Sequence, residues 1–457
     1  MRKPRIGAVW RGTTPRLVGG MVIVGASGYA FLAVSARTLH ASSDAAAVAS
    51  LYFLVNTVSL GLFIGLEQET NRAVSAALAG DEGASGVRTV LRRSLRQGAV
   101  LLGIAVLFLG AFALPLESRT LRGHWELLAA TVVGALSAYA VYVVRGLLGG
   151  TRQFGGYALT LAVEGCARLV PTIAIAAAGY SSPGAYGFIF ALGQLFAAAA
   201  GVAVLLKRGL VPALDPAAST APQSARPEPG ARSSEGLAML VVAGLLTQTV
   251  ANLAPLAVSS RLPADPALAT AFAQACVLVR IPLLLGGPIQ AMLLPVFSAA
   301  AVRRDLGAIR RRLAVMGAAV GGLGLAGVAA SALAGPWVLR AFFAVHIGFS
   351  GTRLAALAVG SLLLLLANVV QPALIGLGRH RWVTAAWVSG TAVTGTLLAM
   401  PIAPVTAGIW ASLGGGISVL SVMAVGLRPL ARRGATESGS ERVSQAESEG
   451  LMKLPAQ

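Results

Sequence analysis

Residues 125–148 read WELLAATVVGALSAYAVYVVRGLL, and residues 157–178 read YALTLAVEGCARLVPTIAIAAA. Between them lies the short turn Gly149-Gly150-Thr151-Arg152-Gln153-Phe154-Gly155-Gly156. Each run has the roughly 20 mostly apolar residues that a helix needs to cross a bilayer. The turn has the glycine and the single cation expected where a chain leaves and re-enters a membrane on one side. Two spans joined by a polar turn make the unit that decides the fold class.

The same unit recurs on both sides. Before residue 207 the apolar stretches fall at 17–36, 45–66, 97–116, 125–148, 157–178 and 185–206, here helices 1 to 6. After residue 235 they fall at 236–259, 268–300, 313–334, 353–376, 382–400 and 405–427, helices 7 to 12. Composition agrees, with 56% apolar residues, 12% charged, 55 glycines and a mean hydropathy of +0.76. An ordinary soluble domain carries about 25% charged residues. A cytosolic enzyme, a disordered chain and a secreted disulfide scaffold are excluded. The two cysteines, Cys166 and Cys276, lie in apolar stretches and are expected to be small buried packing residues. The four histidines show no metal-ligand spacing, and neither a metal nor a cofactor is expected.

The net charge of +19 is explained by where the charges lie. With the N-terminus in the cytoplasm, 28 of the 36 Lys and Arg residues fall on the inner side, counting Arg145, which is expected to snorkel to the headgroups from the inner end of helix 4. Six fall outside, and Arg168 and Arg280 fall within spans. The cations are topology signals facing anionic lipid, so no nucleic-acid partner is expected. The first span is too long for the apolar core of a signal peptide and is expected to stay in the protein.

The two sets of six look like copies. Ala33-Val34-Ser35-Ala36-Arg37 is echoed by Ala257-Val258-Ser259-Ser260-Arg261, and Gly65-Leu66-Glu67-Gln68 by Gly287-Pro288-Ile289-Gln290. After helices 4 and 10 come Leu148-Gly149-Gly150-Thr151-Arg152 and Ile375-Gly376-Leu377-Gly378-Arg379. Six spans per copy give both copies the same orientation. The expected fold is an all-α polytopic membrane protein of about 12 helices, in two parallel six-helix lobes around a central cavity. The expected organisation is a basic cytoplasmic N-terminus (1–16), an N-lobe (17–206), a cytoplasmic Pro/Ala/Ser-rich linker (207–235), a C-lobe (236–427) and a disordered cytoplasmic tail (428–457).

Ionisable residues inside spans are costly and mark candidate sites. Glu164 and Arg168 of helix 5 sit roughly 15 and 21 Å from its inner end, and Arg280 of helix 8 roughly 18 Å from its outer end, at 1.5 Å per residue. Two arginines at one depth, one per lobe, suit a diphosphate, because guanidinium binds phosphate oxygens as a fork. Two readings stand for Glu164 and Arg168: mutual neutralisation at i,i+4 spacing, or a role for Arg168 at the site. Arg280 has no acid within a turn of its helix, so it is either a phosphate ligand or a structural donor to backbone carbonyls. Glu67 and Glu69, at the inner end of helix 2, read as a gate or an interfacial pair with Arg72. Pro282, Pro288 and Pro295 imply a break in helix 8. Asn56, Gln248, Asn252, Asn368 and Gln371 read as interhelical hydrogen-bonding residues.

Residues 17–427 resemble the multidrug/oligosaccharidyl-lipid/polysaccharide exporter superfamily. The segment Arg145–Tyr157, followed by Glu164-Gly-Cys-Ala-Arg168, is similar to that of O-antigen-type polysaccharide flippases. That resemblance implies a transporter in the cell membrane that moves a lipid-linked oligosaccharide from the inner to the outer leaflet. Arg168 and Arg280 would contact the diphosphate, and Glu164 would tune Arg168 or carry a coupling proton. Membrane lipids and polysaccharide-synthesis proteins would be its partners. Twelve spans fit this group better than the fourteen-helix flippases of the peptidoglycan precursor. A drug/cation antiporter of the same superfamily is the alternative. It would want net acid in the cavity, where two Arg and one Glu are found. The outer loops are short and poor in acids, and no phosphate-binding GxxxxGK[ST] motif exists, so no enzyme is expected.

Overall fold

The structure is a computed structural model that describes residues 6–79, 83–208, 230–285, 293, 297, 303, 305–343 and 348–451. Its regular elements are helical throughout the described residues. The first half contains α1 (Ile6–Thr38), α2 (Ser42–Ala79), α3 (Gly83–Ala111), α4 (Trp125–Gly150), α5 (Phe154–Ala177) and α6 (Pro183–Lys207). The second half contains α7 (Gly230–Arg261), α8 (Pro266–Val279), α9 (Leu306–Leu333), α10 (Gly351–Gly376), α11 (His380–Ala399) and α12 (Pro404–Leu451). Ten of these, all but α8 and α11, are long and apolar enough to cross a bilayer. The chain is a multi-span membrane protein.

Helix 8 does not run unbroken from 268 to 300. Asp265 caps its start through a 3.0 Å bond from the Leu268 amide, and α8 ends where Arg280 forms the C-cap. Pro282 cannot donate to an α-helical ladder, and the chain tightens there into a 3-10 turn, Ile281–Leu285. Pro288 and Pro295 lie outside the described residues, as do 209–229 of the expected linker. α12 continues as helix to Leu451, through the stretch expected to form the tail; residues 452–457 lie outside the described residues.

The two halves reuse one set of pairings. In the first, α1 packs on α5, α2 on α4, and α6 on α4 and α5. In the second, α7 packs on α11, α8 on α10, and α12 on α10 and α11. The turn after α4 and the turn after α10 have the same hydrogen bonds. Gln153 donates to the Leu148 carbonyl and Arg152 to Gly149; 226 residues later, Arg379 donates to Leu374 and Gly378 to Ile375. Both are Schellman caps, which place their penultimate residue in the left-handed region. Gly378 takes that place with φ 70°, and Arg152 with φ 58°.

The lobes meet along α2 and α7, which run antiparallel. Ser50 Oγ donates to Ser259 Oγ at 2.9 Å at one end of this seam. Towards the other end, glycines bring the backbones together. A Cβ on Gly61 would lie 3.0 Å from Leu245, and one on Gly244 would lie 2.7 Å from the Gly61 carbonyl oxygen. Gly61 and Gly65 form the small-xxx-small pattern that permits such an approach in membranes. By the repeat, α1 and α8 are the matching pair, yet they touch only sparingly.

One membrane face, here the linker side, carries the end of α6 and the turn at 151–153, and the far face carries the turns at 39–41 and 262–265. On the far side one apolar core, including Phe31, Leu51, Phe190, Phe272 and Leu354, spans both lobes. Arginines tie that side together. Arg37 at the end of α1 donates to the carbonyls of Phe342 (3.0 Å) and Ala341, in the short helix Gly335–Phe343. Arg122 donates to Leu262 at 3.0 Å and to Ser259 and Pro263 at 3.2 Å. Burial pulls the Arg122 pKa down, opposed by the charge of Asp265. Arg122 itself sits in the left-handed region, with φ 55°.

Candidate functional site

Three charged groups converge in the N-lobe wall. Glu164 on α5 is 3% exposed and is paired with two arginines. Arg145 Nη2 of α4 lies 2.6 Å from Glu164 Oε2, and Arg168 Nη2 of α5 lies 2.8 Å from Oε1. Gln194 of α6 also donates to this carboxylate, and Arg145 Nε donates to Thr160 Oγ1 at 3.0 Å. Arg145 and Arg168 are each 4% exposed. Two guanidiniums around one carboxylate leave one positive charge uncompensated within the triad.

The expected i,i+4 pair of Glu164 and Arg168 is therefore formed, with a third member that the sequence reading misplaced. Arg145 does not snorkel. It sits one turn inside the end of α4, where Gly146, Gly149 and Gly150 let α2 pack tightly. A Cβ on Gly146 would lie 2.6 Å from Thr70, and one on Gly150 would lie 2.6 Å from Val74. That packing closes the route to the headgroups. A guanidinium only 4% exposed needs an anion, and Glu164 supplies it. The three glycines were the available signal, since small residues beside a charged one mark a close helix crossing.

Glu67 of α2 joins the same network from the linker side. Tyr157 Oη donates to Glu67 Oε1 at 2.6 Å, and the guanidinium of Arg145 lies 5.9 Å from the Tyr157 ring centre. Glu69 points elsewhere and forms a two-pronged pair with Arg72, at 2.7 and 2.9 Å. Glu67 and Glu164 thus sit on one chain of contacts, Glu67–Tyr157–Arg145–Glu164–Arg168, through the N-lobe from its linker side towards its middle. Such a chain can hold or pass a proton only through its two carboxylates and the phenol.

Arg168 and Arg280 are joined across the lobe interface by a run of three aromatic rings, Phe190, Tyr52 and Phe53. Arg168 stacks on Phe190 with 4.2 Å from guanidinium carbon to ring centre, and its Nε donates to the Phe190 carbonyl at 3.1 Å. Its Nη2 is buried and makes no aligned hydrogen bond, so the contact with Glu164 is electrostatic in the main. Arg280 projects from the C-lobe to lie 5.5 Å from the centre of the Phe53 ring on α2. It donates to Asn252 Oδ1 at 3.1 Å and to the Ala251 carbonyl, both on α7. A recess of about 10 Å³, enough for one water, separates Arg280 from Ser361 and Ser412. Arg280 has no carboxylate partner among the described residues. The Tyr52 ring lies 5.2 Å from that of Phe53 and 5.3 Å from that of Phe190, and so stands between the two arginines.

Other polar and sulfur residues have structural places. Gln371 accepts from Trp387 Nε1 at 2.9 Å, as expected of an interhelical bond. Asn56 and Gln248 bond within their own helices, to the Tyr52 carbonyl and to Asn252 respectively. Cys276 is buried; Cys166 is on the exposed face of α5, against expectation, because the 164/168 stripe takes the inward side.

No family model matches this chain. Two uncharacterized proteins of Mycobacterium tuberculosis are each 26% identical to it; one alignment covers 92% of this chain and 93% of the relative, the other 93% and 94%. Among solved structures, the chain is similar to the inward-facing conformation of a multidrug resistance MATE family transporter of the MOP superfamily. The TM-score is 0.71 at 16% identity, covering 90% of this chain and 95% of the other. Against an outward-facing conformation the TM-score is 0.63 at 16% identity, covering 92% and 96%. The chain has the twelve-helix, two-lobe fold of those proteins.

Proposed function

We propose that this protein is an alternating-access transporter that moves a lipid-linked oligosaccharide, joined through a diphosphate, from the inner to the outer leaflet for cell-surface polysaccharide biosynthesis. The linker face is then cytoplasmic. The observation that carries this reading is the aromatic run Phe190–Tyr52–Phe53 that joins Arg168 of one lobe to Arg280 of the other, with Glu164, the buried carboxylate beside Arg168, already shared by two guanidiniums. A membrane-buried site with surplus positive charge favours an anion. Guanidinium favours one that offers oxygens in pairs, as phosphate does. The better match to an inward-facing structure than to an outward-facing one supports a state open towards the leaflet where such a lipid is made.

The second reading is a drug/cation antiporter. The multidrug transporters of this fold support it, and Glu67, half-buried and bonded only to a neutral phenol, is the carboxylate it would use. Deleting the gene in its host separates the two. The flippase reading expects loss of surface polysaccharide, with lipid-linked oligosaccharide accumulating on the inner leaflet. Arg280→Ala is expected to fail to complement while inserting normally, and Arg280→Lys to complement in part. Normal glycolipid together with hypersensitivity to cationic drugs overturns the flippase reading.

A further inference from the structure

Two phenols stand between the two arginines. The ring of Tyr52 on α2 lies 5.3 Å from that of Phe190, on which Arg168 stacks, and 5.2 Å from that of Phe53, over which Arg280 lies. Tyr29 on α1 follows Gly28, where an added Cβ would lie 3.3 Å from the Tyr52 hydroxyl oxygen, so α1 and Tyr52 are in close contact there. Both tyrosines are half-buried, and neither hydroxyl has a hydrogen-bond partner among the described residues. Among the other N-lobe phenols, Tyr139 donates to the Leu95 carbonyl at 3.0 Å and Tyr157 to Glu67 at 2.6 Å. An inward-facing phenol normally finds a partner, and neither of these hydroxyls is sealed off inside the protein, so each is open to a partner from outside the chain.

Two phenol donors without a protein acceptor, standing between two arginines, suit a ligand rich in acceptor oxygens. We propose that Tyr29 and Tyr52 are ligand-binding residues that, with Arg168 and Arg280, form a four-point cradle for a diphosphate group. This rests on the reading of the two arginines as phosphate ligands. The phenols are neutral donors, so they add hydrogen bonds to the anion without the mutual repulsion of two further cations. Tyr29, Tyr52 and Arg168 belong to the N-lobe and Arg280 to the C-lobe, so an anion in the cradle bridges the lobes, and their separation removes one of its four holds.

The test uses the purified full chain in detergent, with farnesyl diphosphate and inorganic pyrophosphate as probes and calorimetry as readout. Tyr29→Phe and Tyr52→Phe keep the rings and delete only the hydroxyls. Each is expected to weaken binding of farnesyl diphosphate about 10-fold or more, the size of one hydrogen bond to a charged group. Tyr139→Phe, off the site, is expected to bind as wild type. Addition of farnesyl diphosphate to the unmutated protein is expected to perturb tyrosine absorption, a readout that needs no variant to fold. Wild-type affinity in both Tyr→Phe variants, or an unperturbed tyrosine spectrum, overturns the cradle and leaves the flippase reading standing. Pyrophosphate binding as tightly as farnesyl diphosphate, with the same losses in the variants, keeps the cradle but assigns it to a free diphosphate, which overturns the lipid reading alone. No binding of either probe overturns both.

Discussion

At the scale of single residues the central object is Glu164, one carboxylate serving two buried guanidiniums. Removing one partner of a buried pair costs about 3–5 kcal/mol, chiefly because the other charge is left without compensation. Glu164→Gln strands two cations and is expected to lower the unfolding temperature in detergent more than Arg145→Gln, which leaves Arg168 to hold the carboxylate. Equal losses would show that the triad is not shared in this way. The exchange Glu164→Arg with Arg168→Glu is expected to fail as well, although an i,i+4 pair tolerates reversal, because the new arginine at 164 would face Arg145. The Glu164–Arg168 pair was legible from spacing alone. Arg145 was not, because a cation near a helix end has the same local sequence whether it reaches the headgroups or is sealed in. Only the approach of α2 over Gly146, Gly149 and Gly150 decides between them.

At the scale of elements, the repeated turn is the clearest mark of duplication and also its point of imperfection. The second copy places Gly378 at the left-handed position of its Schellman cap; the first places Arg152 there. A side chain in that conformation costs roughly 1 kcal/mol, which glycine avoids. Arg152→Gly is expected to stabilise the protein by about that amount, and Gly378→Ala to destabilise it similarly, as read by thermal unfolding; opposite signs would mean that the caps are not equivalent. The short sequence matches located this turn to within one residue. They could not give its register, since glycine and arginine both stand near the turn in each copy, and hydrogen bonding alone fixes an offset of 226. The break in helix 8 was legible from Pro282. That it falls directly after Arg280, making the arginine a C-cap, was not, because proline fixes where a helix must stop and not how far upstream it ends.

For the molecule as a whole, the account is of two similar lobes held together along α2 and α7 and latched on the far face. The latch rests on side chains bonding to backbone carbonyls, with Arg37 and Arg122 of the N-lobe holding the Gly335–Phe343 helix and the end of α7. Nothing in a sequence marks a carbonyl as a partner, so twelve helices in two lobes were legible while the closed face was not. Arg37→Ala with Arg122→Ala is expected to shift the protein towards a far-face-open state, seen as a lengthened distance between spin labels at positions 38 and 343 in electron-electron resonance. An unchanged distance would make the latch incidental. The central claim is that an anionic lipid passes between these lobes by way of Arg168 and Arg280. Its most direct test is flipping of a fluorescent polyprenyl-diphosphate oligosaccharide in proteoliposomes that hold the purified protein, followed by quenching from outside. The account predicts flipping by the wild type, and its loss in Arg280→Ala protein that reconstitutes to the same level. Flipping that survives Arg280→Ala unchanged, or wild-type vesicles that exchange a cationic dye for protons and leave the lipid in place, would contradict it.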